Sequence, residues 1–354
     1  MSSSKRVQYK YIYAVVILFW VITLGYLLNS RYGSTDHSGN SEHLEAQKAT
    51  ITDVFLLKEE ITLTGDSLNP VFTIWDPLVL DSIIVLSDFV GNRILFFNKN
   101  NRLIRSVGRQ GTGPSEFQLP YGVVVDRNQH YYVNDRGNMR VQIFDRNYEL
   151  IKTFTTPGQN ETILLRSNTS VPNIILIGAS SCKKGPCLIR EFDPEGNTVR
   201  EFAYYTGDFH LYTWTATIDS EGKIYLINIL SNVIDIYDSR GRHVNKISLN
   251  SPSMTTLFIP DDASFTDIGE YLKKPHTRVV NLKVISEYLL VCIESQHPKA
   301  YTIDIYSTNG KLLYYGIEIP GMIARSKNDT IYFYQKDESQ YGKIDFGGYH
   351  LNIK

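Results

Sequence analysis

A recurrence along the chain constrains its fold more than any other feature. An aromatic or apolar residue followed by a small polar turn residue closes an alternating strand pattern at Phe97-Asn98, Phe144-Asp145, Phe192-Asp193, Tyr237-Asp238, Tyr306-Ser307 and Ile344-Asp345. Successive copies lie 47, 48, 45, 69 and 38 residues apart. Alternation with a period of two marks half-buried strands. A repeat of about 40 to 50 residues is the length of one four-stranded propeller blade. Six copies therefore predict an all-β domain, a six-bladed β-propeller over residues 49–354. Abundant Tyr (24) and Phe (16) favour strands over helices.

Two copies align without gaps. Residues 87–98, SDFVGNRILFFN, fall onto 134–145, NDRGNMRVQIFD, with Asp88 over Asp135, Arg93 over Arg140 and Phe97 over Phe144. A third copy, 228–238, places Asn228 and Val233 where the Asp and Arg stood. Because the Asp/Arg pair recurs at the same turn of consecutive blades, Asp88 with Arg93 and Asp135 with Arg140 read as structural turn pairs rather than catalytic groups. Gly108, Gly111 and Gly113 permit a tight loop between blades, and Pro120-Tyr121-Gly122 opens an inner strand that must not crowd a central channel. Val123, Val125, Tyr131, Val133, Val141 and Ile143 then face the neighbouring blades. The stretch 108–135, GRQGTGPSEFQLPYGVVVDRNQHYYVND, resembles the NHL repeat, and the whole chain resembles the NHL and TolB-like six-bladed propellers. That resemblance implies blades around a channel, where enzymes of this fold such as calcium-dependent lactonases hold a metal or catalytic groups. The fold permits an enzyme without implying one. The strand pattern at 51–65, ahead of the first complete blade, is expected to pair with the last blade and close the ring.

Tyr11 to Leu28 is free of charged residues over a length that crosses a bilayer as a helix. It has no small-residue cleavage site, which favours an uncleaved signal-anchor over a signal peptide. Lys5, Arg6 and Lys10 precede it, so residues 1–10 are expected in the cytoplasm, 11–28 as a single transmembrane helix, 29–48 as a flexible tether and the propeller on the periplasmic or extracellular side. The 36 Lys and Arg balance 37 Asp and Glu, leaving no basic field for nucleic acid. Cys182 and Cys187, around a Gly-Pro turn, are candidates for a local disulfide in an exported domain, and Cys292 reads as a buried thiol. Asn160, Asn168 and Asn328 head glycosylation sequons.

Catalytic signatures are sparse. The eight histidines form no H-E-x-x-H and no helical i, i+4 pair, and neither G-x-S-x-G nor a P-loop occurs. The inner strands are expected to begin at Ile74-Trp75, Tyr121, Trp214, Arg278 and Met322, which are not metal-like ligands. No metal or cofactor is therefore expected. Asp126 and Asp219 are placed at turns rather than in the channel. Tyr121, Trp214, Tyr212, His210 and Arg278, with Phe209 nearby, are expected at the channel mouth, where exposed aromatics contact proteins or carbohydrates. The long spacing locates an insertion at 249–278, with a short helix expected near 265–273 and a solvated acidic face of Asp261, Asp262, Asp267 and Glu270. The sequence thus favours a membrane-anchored, outward-facing module that binds a protein or polysaccharide. The alternative is a lactonase- or lyase-like enzyme with a divalent cation, Ca²⁺, in the channel.

Overall fold

The structure, a computed structural model, describes residues 46–65, 71, 74–166, 172–182, 184–204, 214–229, 231–255, 276–295, 300–326, 329–337 and 343–353. The expected anchor at 11–28, the helix near 265–273 and the acidic residues of the insertion lie outside them. Among the described residues no helix is long and apolar enough to cross a membrane.

The described chain is all-β and propeller-like. It opens with β1 (Gln47–Lys48), a one-turn helix α1 (Ile51–Val54) and β2 (Phe55–Thr64). The first blade holds β3 (Ile74–Val79), β4 (Ile83–Asp88), β5 (Arg93–Asn98) and β6 (Leu103–Val107). The second holds β7 (Pro120–Val125), β8 (Tyr131–Asp135), β9 (Arg140–Phe144) and β10 (Leu150–Thr155). The third holds β11 (Thr162–Arg166), β12 (Asn173–Cys182), β13 (Gly185–Phe192) and β14 (Thr198–Tyr204). The fourth holds β15 (Trp214–Ile218), β16 (Ile224–Asn228), β17 (Val233–Tyr237) and β18 (His243–Ser248). The fifth holds β19 (Arg278–Ile285), β20 (Tyr288–Glu294), β21 (Tyr301–Ser307) and β22 (Leu312–Ile319). Last come β23 (Met322–Ser326), β24 (Ile331–Asp337) and β25 (Lys343–Leu351), with β2 supplying the fourth strand by antiparallel pairing to β25.

Each four-stranded set is an antiparallel meander, and the innermost strands β3, β7, β11, β15, β19 and β23 neighbour one another in a closed cycle. The last and first sets also share a short parallel contact, Arg325 opposite Leu78 and Ser326 opposite Val79. The 51–65 segment thus joins the last blade as expected, except that residues 51–54 are helical. Thr50 N–H donates to Asp53 Oδ2 at 2.7 Å, a capping interaction that a strand would forgo. Gln47 and Lys48, assigned to the tether by the sequence, pair in parallel with Tyr314 and Tyr315 on the outer edge of the fifth blade.

Six apolar clusters fill the spaces between consecutive blades. Between the first and second lie Phe96, Phe117, Val123, Tyr131 and Val133; between the second and third lie Val141, Ile143, Phe154 and Phe192. Val123, Tyr131, Val133, Val141 and Ile143 thus face neighbouring blades, as alternation in 123–143 predicts. Fully burying one such side chain contributes about 1.5–3 kcal/mol, so every blade is held by both neighbours rather than by a common centre.

The paired turns are built as the repeat implies. Arg93 Nε meets Asp88 Oδ2 at 3.0 Å and Arg140 Nε meets Asp135 Oδ2 at 2.6 Å, with both carboxylates fully buried. Arg140 also donates to the carbonyls of Thr112, Gly113 and Glu116, at 2.7, 2.8 and 2.7 Å. The pair therefore pins the glycine-rich loop between blades to the hairpin beside it. At Gly108 the backbone has φ +98°, and a Cβ would lie 2.3 Å from the Phe117 ring.

Candidate functional site

The six inner strands surround a central cavity of about 420 Å³. Its wall carries more charge than the sequence suggested. Asp76, Glu161, Lys283, Asp329 and Arg325 line it, together with Tyr121, Trp214, Tyr334 and Asn281. The expectation of an aromatic and apolar wall beginning at Ile74-Trp75 is corrected on this point. Asp76 has φ +49°, which breaks the alternation and turns its carboxyl, not Ile74, toward the cavity.

Asp76 Oδ2 accepts from Arg325 Nε at 2.5 Å, and Arg325 also donates from Nη1 to the Ile163 carbonyl. One guanidinium thus bridges the last, first and third blades. Burial pushes the Asp76 carboxyl above the usual carboxylate range, and Arg325 opposes this through its charge and hydrogen bond. Gly122 lets the carboxyl in: φ there is +99°, and a Cβ would stand 3.2 Å from Asp76 Oδ2 and 3.5 Å from Ile163 Cγ2.

Glu161 Oε2 accepts the Trp214 backbone N–H at 2.9 Å, linking the third and fourth blades. Burial raises its carboxyl as well, against that hydrogen bond and the charge of Arg136. Tyr121 is 8% exposed; its ring meets Phe89 edge to face at 5.7 Å and lies under the Arg136 guanidinium at 5.3 Å. Burial, then the charge of Glu161, lifts the Tyr121 phenol well above its ordinary value, so it remains a neutral donor. Trp214 is half-buried and packs against the cluster between the third and fourth blades.

Of the residues expected at the channel mouth, Tyr121 and Trp214 line this cavity, as does Met322. Arg278 does not. It pairs with Glu294 on the neighbouring strand, Nη2 to Oε2 at 2.5 Å, because the cross-strand register sets the two residues opposite each other. Tyr212, His210 and Phe209 lie outside the described residues. Asp126 and Asp219 sit in turns: Asp126 Oδ1 accepts from the amides of Asn128 and His130, both at 2.8 Å, and Asp219 Oδ1 from Lys223 N–H at 2.8 Å. Cys182 and Cys187 form a disulfide across the β12–β13 hairpin, and Cys292 is a buried thiol, pushed by burial up to about 12. The Asn160 side chain is 4% exposed and donates to Thr156 Oγ1 and the Gly158 carbonyl. Its sequon is therefore closed to modification in the folded chain, because Asn160 faces inward at the start of the third blade; Asn168 and Asn328 lie outside the described residues. Among the described residues no group of three or more His, Cys, Asp or Glu converges to hold a metal ion.

Sequence reasoning missed Asp76, Glu161, Lys283 and Arg325. For Lys283 a signal existed, since Asn281 and Lys283 are two residues apart and so share one face of a strand, RVVNLKVI, whose other positions after Arg278 are all apolar.

The repeat that carries this geometry has known relatives. The NHL repeat family model matches residues 117–144, the span of β7 to β9. The chain carries an NHL repeat. Human NHL repeat-containing protein 3 is 35% identical over 57 residues, 16% of each chain. Mouse E3 ubiquitin-protein ligase TRIM32 is 25% identical over 174 residues, 46% of this chain and 26% of the ligase. The match thus spans well under a third of these curated relatives. In fold, a DUF4221 family member from Bacteroides vulgatus superposes with a TM-score of 0.62 at 10% identity, over 85% of this chain and 98% of that one. A putative exported protein of Bacteroides fragilis does so with a TM-score of 0.60 at 13% identity, over 88% and 98%.

Proposed function

We propose that this chain is a membrane-anchored, outward-facing six-bladed propeller that binds a polysaccharide in its central channel. One observation carries the reading: Tyr121 and Trp214 share the wall of a cavity in which Asp76 and Arg325 pair with each other. Such a wall offers aromatic faces and hydrogen-bonding groups without a reactive constellation, the combination that suits a sugar ring. Tethering and export are supported by the uncharged segment 11–28 with its preceding cations, and independently by the Cys182–Cys187 disulfide, which persists in oxidising compartments.

The test is titration of the full chain in nanodiscs with a panel of polysaccharides and exported proteins, followed by tryptophan fluorescence and calorimetry. Saccharide binding that Trp214→Ala weakens at least tenfold is the expected result, measured well below an unfolding temperature that the lost packing against the cluster between the third and fourth blades lowers. Binding of a protein only, at a surface unaffected by Trp214→Ala, would overturn the channel as the binding site. A stoichiometric divalent cation that shifts the unfolding temperature would instead favour the lactonase- or lyase-like enzyme.

A further inference from the structure

The charges around the cavity are not equally satisfied. Asp76 meets Arg325, and Glu161 meets the Trp214 N–H. Lys283, on β19, lines the same cavity, but its Nζ donates only to neutral oxygens, the Ser326 hydroxyl and, at 3.5 Å, the Thr330 carbonyl. Among the described residues it makes no ion pair. An ammonium has three donors, so this arrangement leaves one for a ligand.

On the loop after β23, Asp329 is exposed and opposes the loss of the Lys283 charge from a distance. Arg325, beside Ser326 on β23, is engaged by Asp76. His350 of β25 lies behind Thr330, Nε2 to Oγ1 at 3.2 Å. β15 contains no ionisable residue, and on β20 the residue opposite Lys283 is Leu290, with Cys292 and Glu294 displaced along the strand. Burial therefore dominates and lowers the ammonium to about 8. At neutral pH the group is mostly a cation in a partly dry wall without a contacting counter-ion, a state that an incoming anion stabilises.

We infer that Lys283 anchors an anion subsite in the channel, taking the carboxylate of an acidic sugar whose ring faces meet Tyr121 and Trp214. The inference rests on the channel-binding reading and deepens it by naming the charge of the ligand. Ser326 and Thr330 orient the ammonium, and Asn281, two residues before it on the same strand, lines the same cavity while its Nδ2 donates to the Ile323 carbonyl at 3.2 Å. Anion binding favours the charged amine, so binding takes up protons near pH 8 and the preference for an acid fades as pH rises above that value.

The experiment compares a glucuronate-containing disaccharide with its uncharged glucose counterpart, titrated calorimetrically into the full chain in nanodiscs at pH 7, 8 and 9.5. The acidic sugar is expected to bind about ten- to a hundredfold more tightly at pH 7, the range for a hydrogen bond to a charged group. Lys283→Met is expected to erase that preference while leaving the neutral sugar unchanged. At pH 8, heats measured in buffers of different ionisation enthalpy should report proton uptake with the acid alone. Equal binding of both sugars, unaltered by Lys283→Met, would overturn the anion subsite and leave the channel reading intact. No binding of either sugar would overturn both. If Lys283→Met fails to fold, the wild-type chain still decides: a preference for the acid that stays constant up to pH 9.5 overturns the inference.

Discussion

Replacing Asp135 by Ala tests the scaffold at its most connected point. The buried carboxylate accepts from Arg140 Nε at 2.6 Å, the Gln118 amide at 2.8 Å, Asn138 Nδ2 at 2.9 Å and Gln142 Nε2 at 3.2 Å. Truncation strands a guanidinium that is only 12% exposed and removes the acceptor of three further donors. Removing one partner of a buried ion pair costs about 3–5 kcal/mol, mostly because the remaining charge is left uncompensated. The expected loss for Asp135→Ala is therefore about 4 kcal/mol, read from urea unfolding followed by near-UV circular dichroism. Hydrogen exchange should localise the damage, with the Gly111 and Phe117 amides, which close the inter-blade loop, exchanging faster. A double-mutant cycle sharpens the cause. If the stranded Arg140 carries the cost, Arg140→Met added to Asp135→Ala loses far less than Arg140→Met alone. A loss below about 1 kcal/mol, or strictly additive effects, would refute the claim that the turn pair holds the loop to the hairpin.

Two further outcomes follow from other parts of the fold. Replacing both Cys182 and Cys187 by Ser is expected to lower stability by about 2 kcal/mol, the chain-entropy value for so short a closed loop, as judged by urea midpoints of the oxidised and substituted chains; no difference would mean that the hairpin register alone fixes this turn. Burial raises the Asp304 carboxyl above its ordinary value despite hydrogen bonds from Ser251, Gly316 and Ser253. The native state then binds a proton more readily than the unfolded chain, so the penalty is absent below the unfolded-state value and grows as pH rises through the native one. Asp304→Asn should therefore gain stability relative to wild type at neutral pH and lose that advantage near pH 4; a pH-independent difference would contradict the burial argument.

What the sequence disclosed and what it withheld divide by range of interaction. Asp88 with Arg93 and Asp135 with Arg140 were legible because each pair closes one hairpin and is encoded within a single repeat. The interblade clusters were legible from alternation alone, as Val123, Val133, Val141 and Ile143 illustrate. The Asp76–Arg325 bridge was not, since the partners are 249 residues apart and meet only when the ring is closed. Asp76 further departs from regular strand backbone, so strict alternation stopped at Ile74-Trp75. Arg278 failed for the opposite reason: its position at the start of an inner strand was read correctly, but the cross-strand Glu294 claims it.

The pairing of β2 with β25 has a temporal side. Thr62 donates to Asp345, 283 residues later in the chain, along a ladder running from Phe55 opposite Leu351 to Thr64 opposite Lys343. During synthesis β2 emerges long before the strand that completes it, and until then its edge presents unpaired amides and carbonyls. Intermediate blades can assemble locally as they appear, whereas the final closure must await the last strand. A nascent chain stalled before residue 343 would carry an open, adhesive rim, which makes the interval between the first and last strands the period of greatest exposure to chaperones and proteases.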